Sequence, residues 1–134
     1  MTVENRVEPV WLTSTQIRLL HSESIRIFGG VSGLRDEGLL ESALSRPRNR
    51  WAYDVDVTIH QLAAELSYGL SRNHPFIDGN KRISLLSIRA FLHRNARRFN
   101  PDLLTSVTMI ENLAAGSVTL DDLAAWIKDN DPDT

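Results

Sequence analysis

The sequence predicts an all-α domain of about six helices. Apolar residues recur at helical spacing along most of the chain, and no run has the Val- and Ile-rich character of a parallel strand. The length of 134 residues, 42% of them hydrophobic, suits one domain with a single core. We therefore expect residues 1–134 to form one domain, with loose polar ends at residues 1–9 and 129–134.

The first helix is predicted over residues 13–28. Thr13 or Ser14 can cap its start, and the Gly29-Gly30 pair can end it. Its apolar residues lie near helical spacing and are Ile17, Leu20, Ile25 and Phe28.

The second helix is predicted from about Asp36 to the residue before Pro47, because proline disfavours helical backbone at the preceding residue. Residues 47–57 are the least helical stretch of the chain. Their larger apolar residues alternate, as in a strand, and are Trp51, Tyr53, Val55 and Val57. We expect a loop or a short hairpin there.

Two helices are predicted on either side of residues 74–79. The first covers residues 58–73, and its apolar stripe consists of Ile59, Leu62, Ala63, Leu66 and Leu70. The second covers residues 80–98 and has an apolar side wide enough for a largely buried helix, formed by Leu85, Leu86, Ile88, Phe91 and Leu92.

Two shorter helices complete the predicted fold. One opens near Pro101, a residue suited to the first turn, and closes on Gly116. The other begins at Thr119, and Asp122 three residues later comes close to a capping box.

The composition excludes several classes of protein. A net charge of −2 gives no general basic field, so we expect no direct nucleic-acid partner. The absence of cysteine excludes disulfides and zinc–thiolate sites and is compatible with a reducing cytoplasm. No apolar run approaches the roughly 18 residues that span a membrane, and the N-terminus lacks the apolar segment of a signal peptide. We therefore expect a soluble cytoplasmic protein.

Polar chemistry is concentrated in residues 74–82, HPFIDGNKR, which lead from a loop directly into the fourth helix. A helix start offers unpaired N–H groups and partial positive charge to an anion. Gly79 allows the backbone to approach a ligand closely, while Asn80, Lys81 and Arg82 add an amide and two cations. These residues predict a cradle for a polyphosphate.

Asp78 and His74 indicate chemistry at that cradle. A carboxylate repels phosphate unless a cation intervenes, and Mg²⁺ binds through one or two carboxylates plus phosphate oxygens. A neutral imidazole at His74 can then accept a proton from an attacking hydroxyl group. Each residue alone has a structural interpretation, as a helix-end histidine, an N-cap, a turn or a solvated basic face. Composition and spacing alone leave the phosphate site and the plain polar loop equally open.

The segment resembles the signature of the Fic/Doc family, His-x-Phe-x-Asp/Glu-Gly/Ala-Asn-Lys/Gly-Arg, at every defined position. Residues 28–47, FGGVSGLRDEGLLESALSRP, and the later stretch AFLHRN look like the Doc branch of that family, and the resemblance covers roughly residues 9–128.

This resemblance implies the Fic/Doc fold, with Mg²⁺ and ATP as cofactors. His74 would be the base on a target hydroxyl, and Asp78 would hold the metal. Nucleotide phosphates would be held by the backbone of Gly79 together with Asn80, Lys81 and Arg82. Residues 47–57 would form a flap that aligns the target segment.

Position 85 favours one reaction within the family. AMP-transferring Fic enzymes carry a second arginine three residues after the first, and here that position is Leu85. Arg89 lies about 10 Å beyond Arg82 at 1.5 Å per helical residue, too far to hold the same phosphate. The departure resembles Doc toxins, which phosphorylate a threonine of elongation factor Tu and arrest translation. We expect such a kinase; the alternatives are an AMP-transferring enzyme and an inactive module that binds an antitoxin as a corepressor.

The inhibitory motif of Fic enzymes, Ser/Thr-x-x-x-Glu-Gly/Asn, is not found in the sequence. Glu111-Asn112 and Glu37-Gly38 come nearest, but Val107 and Gly33 occupy the hydroxyl position. The resemblance therefore implies a cognate antitoxin that acts in trans, a small DNA-binding protein with a tail that folds onto the toxin. The basic stretches RPRNR and HRNARR are either contacts for such a partner or solvated helix ends.

Overall fold

The computed structural model describes residues 6–134 and contains six α-helices. In chain order they are α1 (Ser14–Phe28), α2 (Glu37–Tyr53), α3 (Ile59–Asn73), α4 (Asn80–Arg94), α5 (Leu103–Ala114) and α6 (Leu120–Asp129). Within residues 6–134 the only β-type pairing is one isolated bridge between Leu34 and Phe76. The predicted all-α class and the number of helices are confirmed.

Helix α3 lies at the centre of the domain and packs against α2, α4, α5 and α6. Ten of its fifteen residues are buried. Gly69 lets α2 approach closely, because a Cβ atom there would lie 3.0 Å from the Cα atom of Ala43. On the side facing α4, the hydroxyl group of Ser67 donates to the carbonyl oxygen of Ser84 (2.8 Å). The central helix therefore fixes where its two ends, and the loop that follows it, must lie.

Three of the predicted helix starts agree with the observed caps, whereas α5 begins later than predicted, with Asp102 as its cap and Pro101 before the first turn. Thr13 caps α1, Asp36 caps α2, and Thr119 caps α6 in a capping box with Asp122. In each case the side-chain oxygen accepts a hydrogen bond from a first-turn N–H group, which would otherwise lack a partner. These short polar residues are local signals, so the sequence alone located them.

The expectation of a loop or hairpin at residues 47–57 is wrong for its first half. Helix α2 passes through Pro47 and continues to Tyr53, so the connection to α3 is only residues 54–58. Proline lacks the N–H group for a helical hydrogen bond, and the burial of its ring compensates for that loss. Arg50, beyond the proline, is tied to the buried carboxylate of Glu65 in α3 (3.2 Å). Tertiary contacts thus hold the helix where its local sequence would end it.

Two of the three arginines in the stretch RPRNR, Arg46 and Arg50, bind a carboxylate within the domain, whereas Arg48 is exposed. The guanidinium group of Arg46 donates twice to one oxygen of Glu65, and Arg50 donates to the other oxygen. Because Glu65 is buried, the two arginines serve as its counter-charges and join α2 to α3.

Residues near both ends of the described chain make specific contacts with the domain. Residues 1–5 of the predicted loose N-terminus lie outside the described residues. Arg6 stacks over the ring of Trp51 at 3.7 Å and donates to the carbonyl oxygen of Asp54. At the other end, Asp131 is only 2% exposed and accepts a hydrogen bond from His60 (2.8 Å). The polarity of these residues reflects specific partners, which composition does not reveal.

Helix α4 ends at Arg94, four residues earlier than predicted. Its C-cap is Asn95, and Ala96 follows in the left-handed region at φ 59°. The side chain of Asn95 binds the backbone of Val10, which joins the end of α4 to the segment before α1. None of the helices in residues 6–134 combines the length and apolar character needed to cross a membrane.

Candidate active site

The loop between α3 and α4 lines an open cleft of about 510 Å³. The residues around this cleft are His74, Ile77, Asp78, Gly79, Asn80, Lys81 and Arg82. All six residues that the sequence predicted for the site therefore border one space. The roles assigned to them remain predictions.

The loop is held from one side by the segment that precedes α2. The N–H group of Arg35 donates to the carbonyl oxygen of Pro75 (2.7 Å), and the N–H group of Ile77 donates to the carbonyl oxygen of Gly33 (3.1 Å). Phe76 is buried between these contacts. The loop is thus paired along its length and its polar side chains start from a fixed backbone.

Asn80 stabilises the loop from within. Its side-chain oxygen accepts from the N–H group of Phe76 (3.0 Å), and its side-chain nitrogen donates to the carbonyl oxygen of Phe76 (2.9 Å). The residue is 8% exposed. The amide side chain therefore binds the loop through both its oxygen and its nitrogen, while the main-chain N–H group of Asn80 lies in the uncapped first turn of α4.

The start of α4 is uncapped by any side chain. Gly79 occupies the N-cap position with φ 75°, and no side chain accepts a hydrogen bond there. A Cβ atom at Gly79 would also come within 3.4 Å of Ile25 and His21. The first-turn N–H groups of α4 consequently face the cleft without a protein cap, which is the arrangement that favours an anion.

The side chain of Asp78 borders the cleft and is ionised. The N–H groups of Val31 (3.1 Å) and Gly79 (2.8 Å) donate to its two oxygens. These hydrogen bonds, that of Val31 foremost, lower the pKa of Asp78, and the charge of Arg82 lowers it further. Gly30 is needed here, because a Cβ atom on it would lie 2.9 Å from the Asp78 Oδ2 atom.

This setting fits a magnesium ion that is held partly by a substrate. Within residues 6–134 no three His, Asp or Glu side chains converge into a metal cage. Mg²⁺ does not need such a cage, because it commonly takes one carboxylate and completes its shell with water and phosphate oxygens. The exposed, ionised Asp78 beside an uncapped helix start matches that mode of binding.

The two cations of the motif are differently engaged. Lys81 forms an ion pair with Glu111 of α5 (3.0 Å), and the two side chains are 52% and 57% exposed. Arg82 donates to the carbonyl oxygen of Gly29 at the end of α1 (3.1 Å) and lies over the ring of Phe28. The exposed ion pair is readily exchanged for another anion, whereas Arg82 is held close to Asp78.

His74 is exposed and has an unusual backbone. It is the C-cap of α3, with φ 48° and ψ 57° in the left-handed region. Only Ala96 shares this property among the other non-glycine residues in positions 6–134. Such a backbone is uncommon outside glycine and is often retained at functional sites.

His21 of α1, to which sequence reasoning assigned no role, packs against the loop between α3 and α4. It is 2% exposed, and its ring stacks on Phe76 with centroids 3.8 Å apart. Its Nε2–H group donates to the carbonyl oxygen of Asp78 (2.7 Å). The available signal was its position four residues from both Ile17 and Ile25, on the buried stripe of α1.

The two positions considered for a second arginine, 85 and 89, lie outside the cleft. Leu85 is partly buried and packs against the hydrophobic core. Arg89 borders a different cavity, together with Phe99 and Asn100. The structure therefore gives the cleft no second arginine from either position.

The chain is similar in sequence to a known family and to two characterised proteins. The profile of the Fic/DOC family matches residues 11–92. The chain is 29% identical over 118 residues to the protein kinase Doc of Escherichia phage P1, an alignment covering 87% of this chain and 92% of that protein. It is 35% identical over 102 residues to the toxin Doc of Mycolicibacterium smegmatis, covering 73% of this chain and 78% of that toxin.

Proposed function

The chain belongs to the Fic/DOC family, and from that membership we propose that it is a Doc-type toxin that transfers the γ-phosphate of ATP to a protein hydroxyl group. The observation that carries the proposal is the composition of the cleft. An exposed imidazole, an ionised carboxylate and an uncapped helix start border one space. Phosphoryl transfer needs little beyond such positioning and neutralisation of charge.

The phosphates of ATP would bind at the start of α4. The main-chain N–H groups of Asn80 to Arg82 offer donors, the backbone of Gly79 allows close approach, and the side chain of Lys81 offers a charge. Phosphate oxygens would replace Glu111 as the partner of Lys81. Bound through Asp78 and phosphate oxygens, Mg²⁺ would neutralise the charge of the transferring group.

His74 would act on the target hydroxyl group. The oxygen of that hydroxyl group would form a bond to the γ-phosphorus, while the bond from that phosphorus to the β–γ bridging oxygen breaks. ADP leaves with the electron pair of the broken bond, and the hydroxyl proton passes to the imidazole of His74. The exposed position of His74 at the cleft supports this role, because a segment of another protein can reach it.

The environment of position 85 supports phosphate transfer over AMP transfer. AMP transfer requires the α-phosphate at the base, held by a second arginine, and Leu85 packs into the core instead. Arg89 borders another cavity and offers no substitute. The γ-phosphate at the base needs no such second clamp.

The finer parts of the proposal follow the relatives. We propose a threonine of elongation factor Tu as the acceptor, arrested translation as the result, and the cytoplasm as the place of action. A cognate antitoxin would restrain the toxin in trans. The names of the two relatives, a protein kinase and a toxin, support the activity and the biological class.

The test uses ATP labelled separately at the α- and γ-phosphorus. The purified protein is incubated with Mg²⁺, each labelled ATP and elongation factor Tu, and the label on protein is measured. We expect label from γ only, and none with His74→Ala. The matched control is His93→Ala, an exposed histidine on the far part of α4, which should retain the wild-type rate.

Two results would contradict the proposal. Label arriving from the α-phosphorus would assign AMP transfer. Equal harmlessness of the wild type and His74→Ala, when expressed in cells without an antitoxin, would favour the inactive binding module.

A further inference from the structure

We propose that Arg35 is a positioning residue for His74, and that its guanidinium group holds the backbone from which the imidazole reaches the cleft. The inference rests on the proposed function, in which His74 is the base. It concerns a residue outside the HPFIDGNKR motif, 39 positions before His74 in the sequence.

The conformation of His74 needs support. A left-handed backbone is unfavourable for a non-glycine residue, because its Cβ atom comes too close to the following carbonyl oxygen. Without support, the chain at the end of α3 would relax towards an ordinary conformation. The Cα–Cβ bond of His74 would then rotate, and the imidazole would leave its position at the cleft.

Arg35 supplies that support as a planar fork. Its Nε–H group donates to the carbonyl oxygen of His74 (2.7 Å), and an Nη2–H group donates to the carbonyl oxygen of Asn73 (2.9 Å). In residues 6–134 these are the only side-chain hydrogen bonds to either carbonyl oxygen. Two bonds from one rigid plane fix the direction of two successive carbonyl groups, and hence the dihedral angles between them.

The location also suits a cation. The carbonyl groups of the last turn of α3 lack partners within the helix and carry partial negative charge. A guanidinium group beside Asn73 and His74 satisfies two of these groups. The fork is therefore favourable both as a pair of hydrogen bonds and as a charge at a helix C-terminus.

Arg35 itself stands on fixed backbone. Its N–H group donates to the carbonyl oxygen of Pro75 (2.7 Å). On one side Leu34 forms the bridge with Phe76, and on the other Asp36 caps α2. The guanidinium group of Arg35 therefore fixes the backbone of His74 relative to the start of α2.

Arg35→Ala removes the fork and leaves the start of α4 unchanged. We expect kcat to fall about 10- to 100-fold, since a misplacement of about 1 Å can cost that much. The affinity for Mg²⁺ and ATP should stay within about twofold of wild type, because Asp78 and residues 79–82 do not contact Arg35 through its side chain. Arg35→Lys keeps the charge but not the fork, so its kcat should lie between the other two.

A second measurement does not depend on activity. The backbone chemical shifts of His74, measured by NMR on ¹³C,¹⁵N-labelled protein, report whether its left-handed conformation persists. We expect these shifts to change in Arg35→Ala and to change less in Arg35→Lys. The control is Arg98→Ala, which removes another two-bond arginine fork, on Asp133 and outside the cleft, and should leave His74 unaltered.

The outcomes separate this inference from the proposed function. If no variant transfers phosphate, the proposed function fails and the shifts of His74 still decide the role of Arg35. Wild-type shifts of His74 in Arg35→Ala would overturn the inference, as would a loss of ATP affinity equal to the loss of kcat. If Arg35→Ala does not fold, Arg35→Lys provides the same comparison.

Discussion

The carboxylate of Asp78 is fixed by main-chain groups, one of which lies far away in the sequence. Val31 precedes α2, whereas Gly79 is the next residue along the chain. Since these N–H groups lower the pKa of Asp78, the carboxyl group stays ionised at pH values where a free aspartic acid, with a pKa of about 3.9, begins to take up a proton. Its contribution to stability is present above that ordinary pKa and is lost as the pH falls through the lowered one.

Asp78→Asn tests the metal role at the residue scale. The amide is nearly isosteric but neutral, so Mg²⁺ should no longer tighten ATP binding, whereas we expect about tenfold tightening in the wild type, or about 1.4 kcal/mol. Titration calorimetry with ATP, with and without Mg²⁺, measures the difference. The control is Asp129→Asn, an exposed aspartate of α6. A variant that responds to Mg²⁺ as strongly as the wild type would exclude Asp78 as the ligand.

The sequence predicted which residues border the cleft, because all six lie within nine consecutive positions. It did not predict what holds them. The supports of the loop come from His21, Val31 and Arg35, and all three act on or through main-chain atoms that any residue type carries. The sequence placed Asn80 among the phosphate-binding residues, but it did not predict that the side-chain amide of Asn80 binds the main chain of Phe76.

At the scale of the helices, the close crossing of α2 and α3 depends on a missing side chain. Gly69 lies in the middle of α3, where alanine would favour the helix by about 1 kcal/mol in isolation. Here its Cβ atom would approach the backbone of Ala43 at 3.0 Å. Overpacking therefore opposes propensity at this position.

Gly69→Ala should destabilise the protein by about 1–3 kcal/mol, because the two helices must separate to admit the methyl group. Gly38→Ala is the matched control, since Gly38 lies in the first turn of α2 and its nearest neighbour is a side-chain oxygen of Asp36. That change should be neutral or stabilise by up to about 1 kcal/mol. Urea denaturation of the three proteins gives the comparison, and a more stable Gly69→Ala variant would refute the close crossing.

The limits of α2 illustrate what local patterns cannot supply. Asp36 correctly indicated where α2 begins, because a cap acts on the adjacent turn. Pro47 wrongly indicated where α2 ends, because the helix beyond the proline is stabilised by the contact of Arg50 with Glu65 of α3. Alternation of apolar residues after the proline was a second misleading signal, since Trp51 packs against Trp11 from within a helix.

At the scale of the whole molecule, the C-terminal segment is locked by a buried aspartate. Asp131 accepts from His60 of α3, and Arg97 lies 3.7 Å away. Burial alone would raise the pKa of Asp131, but the hydrogen bonds from His60 and from the N–H group of Asp133 lower it overall. Asp131 is therefore ionised where it binds His60, and this contact holds the C-terminal segment on the central helix.

Asp131→Asn should lower the free energy of unfolding at pH 7 by about 2 kcal/mol, because a buried hydrogen-bonded charge is lost. The pKa of Asp131 is lowered in the folded state, so its contribution is full above about pH 4 and disappears as the pH falls through the folded pKa. The difference between variant and wild type should shrink accordingly in denaturation curves below pH 4. Asp133→Asn, an exposed partner of Arg98, should change stability little. A difference that is constant from pH 7 to pH 3 would contradict the expected ionisation.

The bonds around the cleft also decide how the protein can be divided. The exposed turn at residues 55–56 separates a piece with α1, α2 and the segment 29–36 from a piece with α3 to α6 and the entire HPFIDGNKR motif. The second piece would carry the base, the carboxylate and the phosphate cradle, yet lack Val31 and Arg35, which hold two of them in place. A chain split at this turn would therefore be inert in both halves, and its activity would return only when the halves reassociate, as a split reporter does.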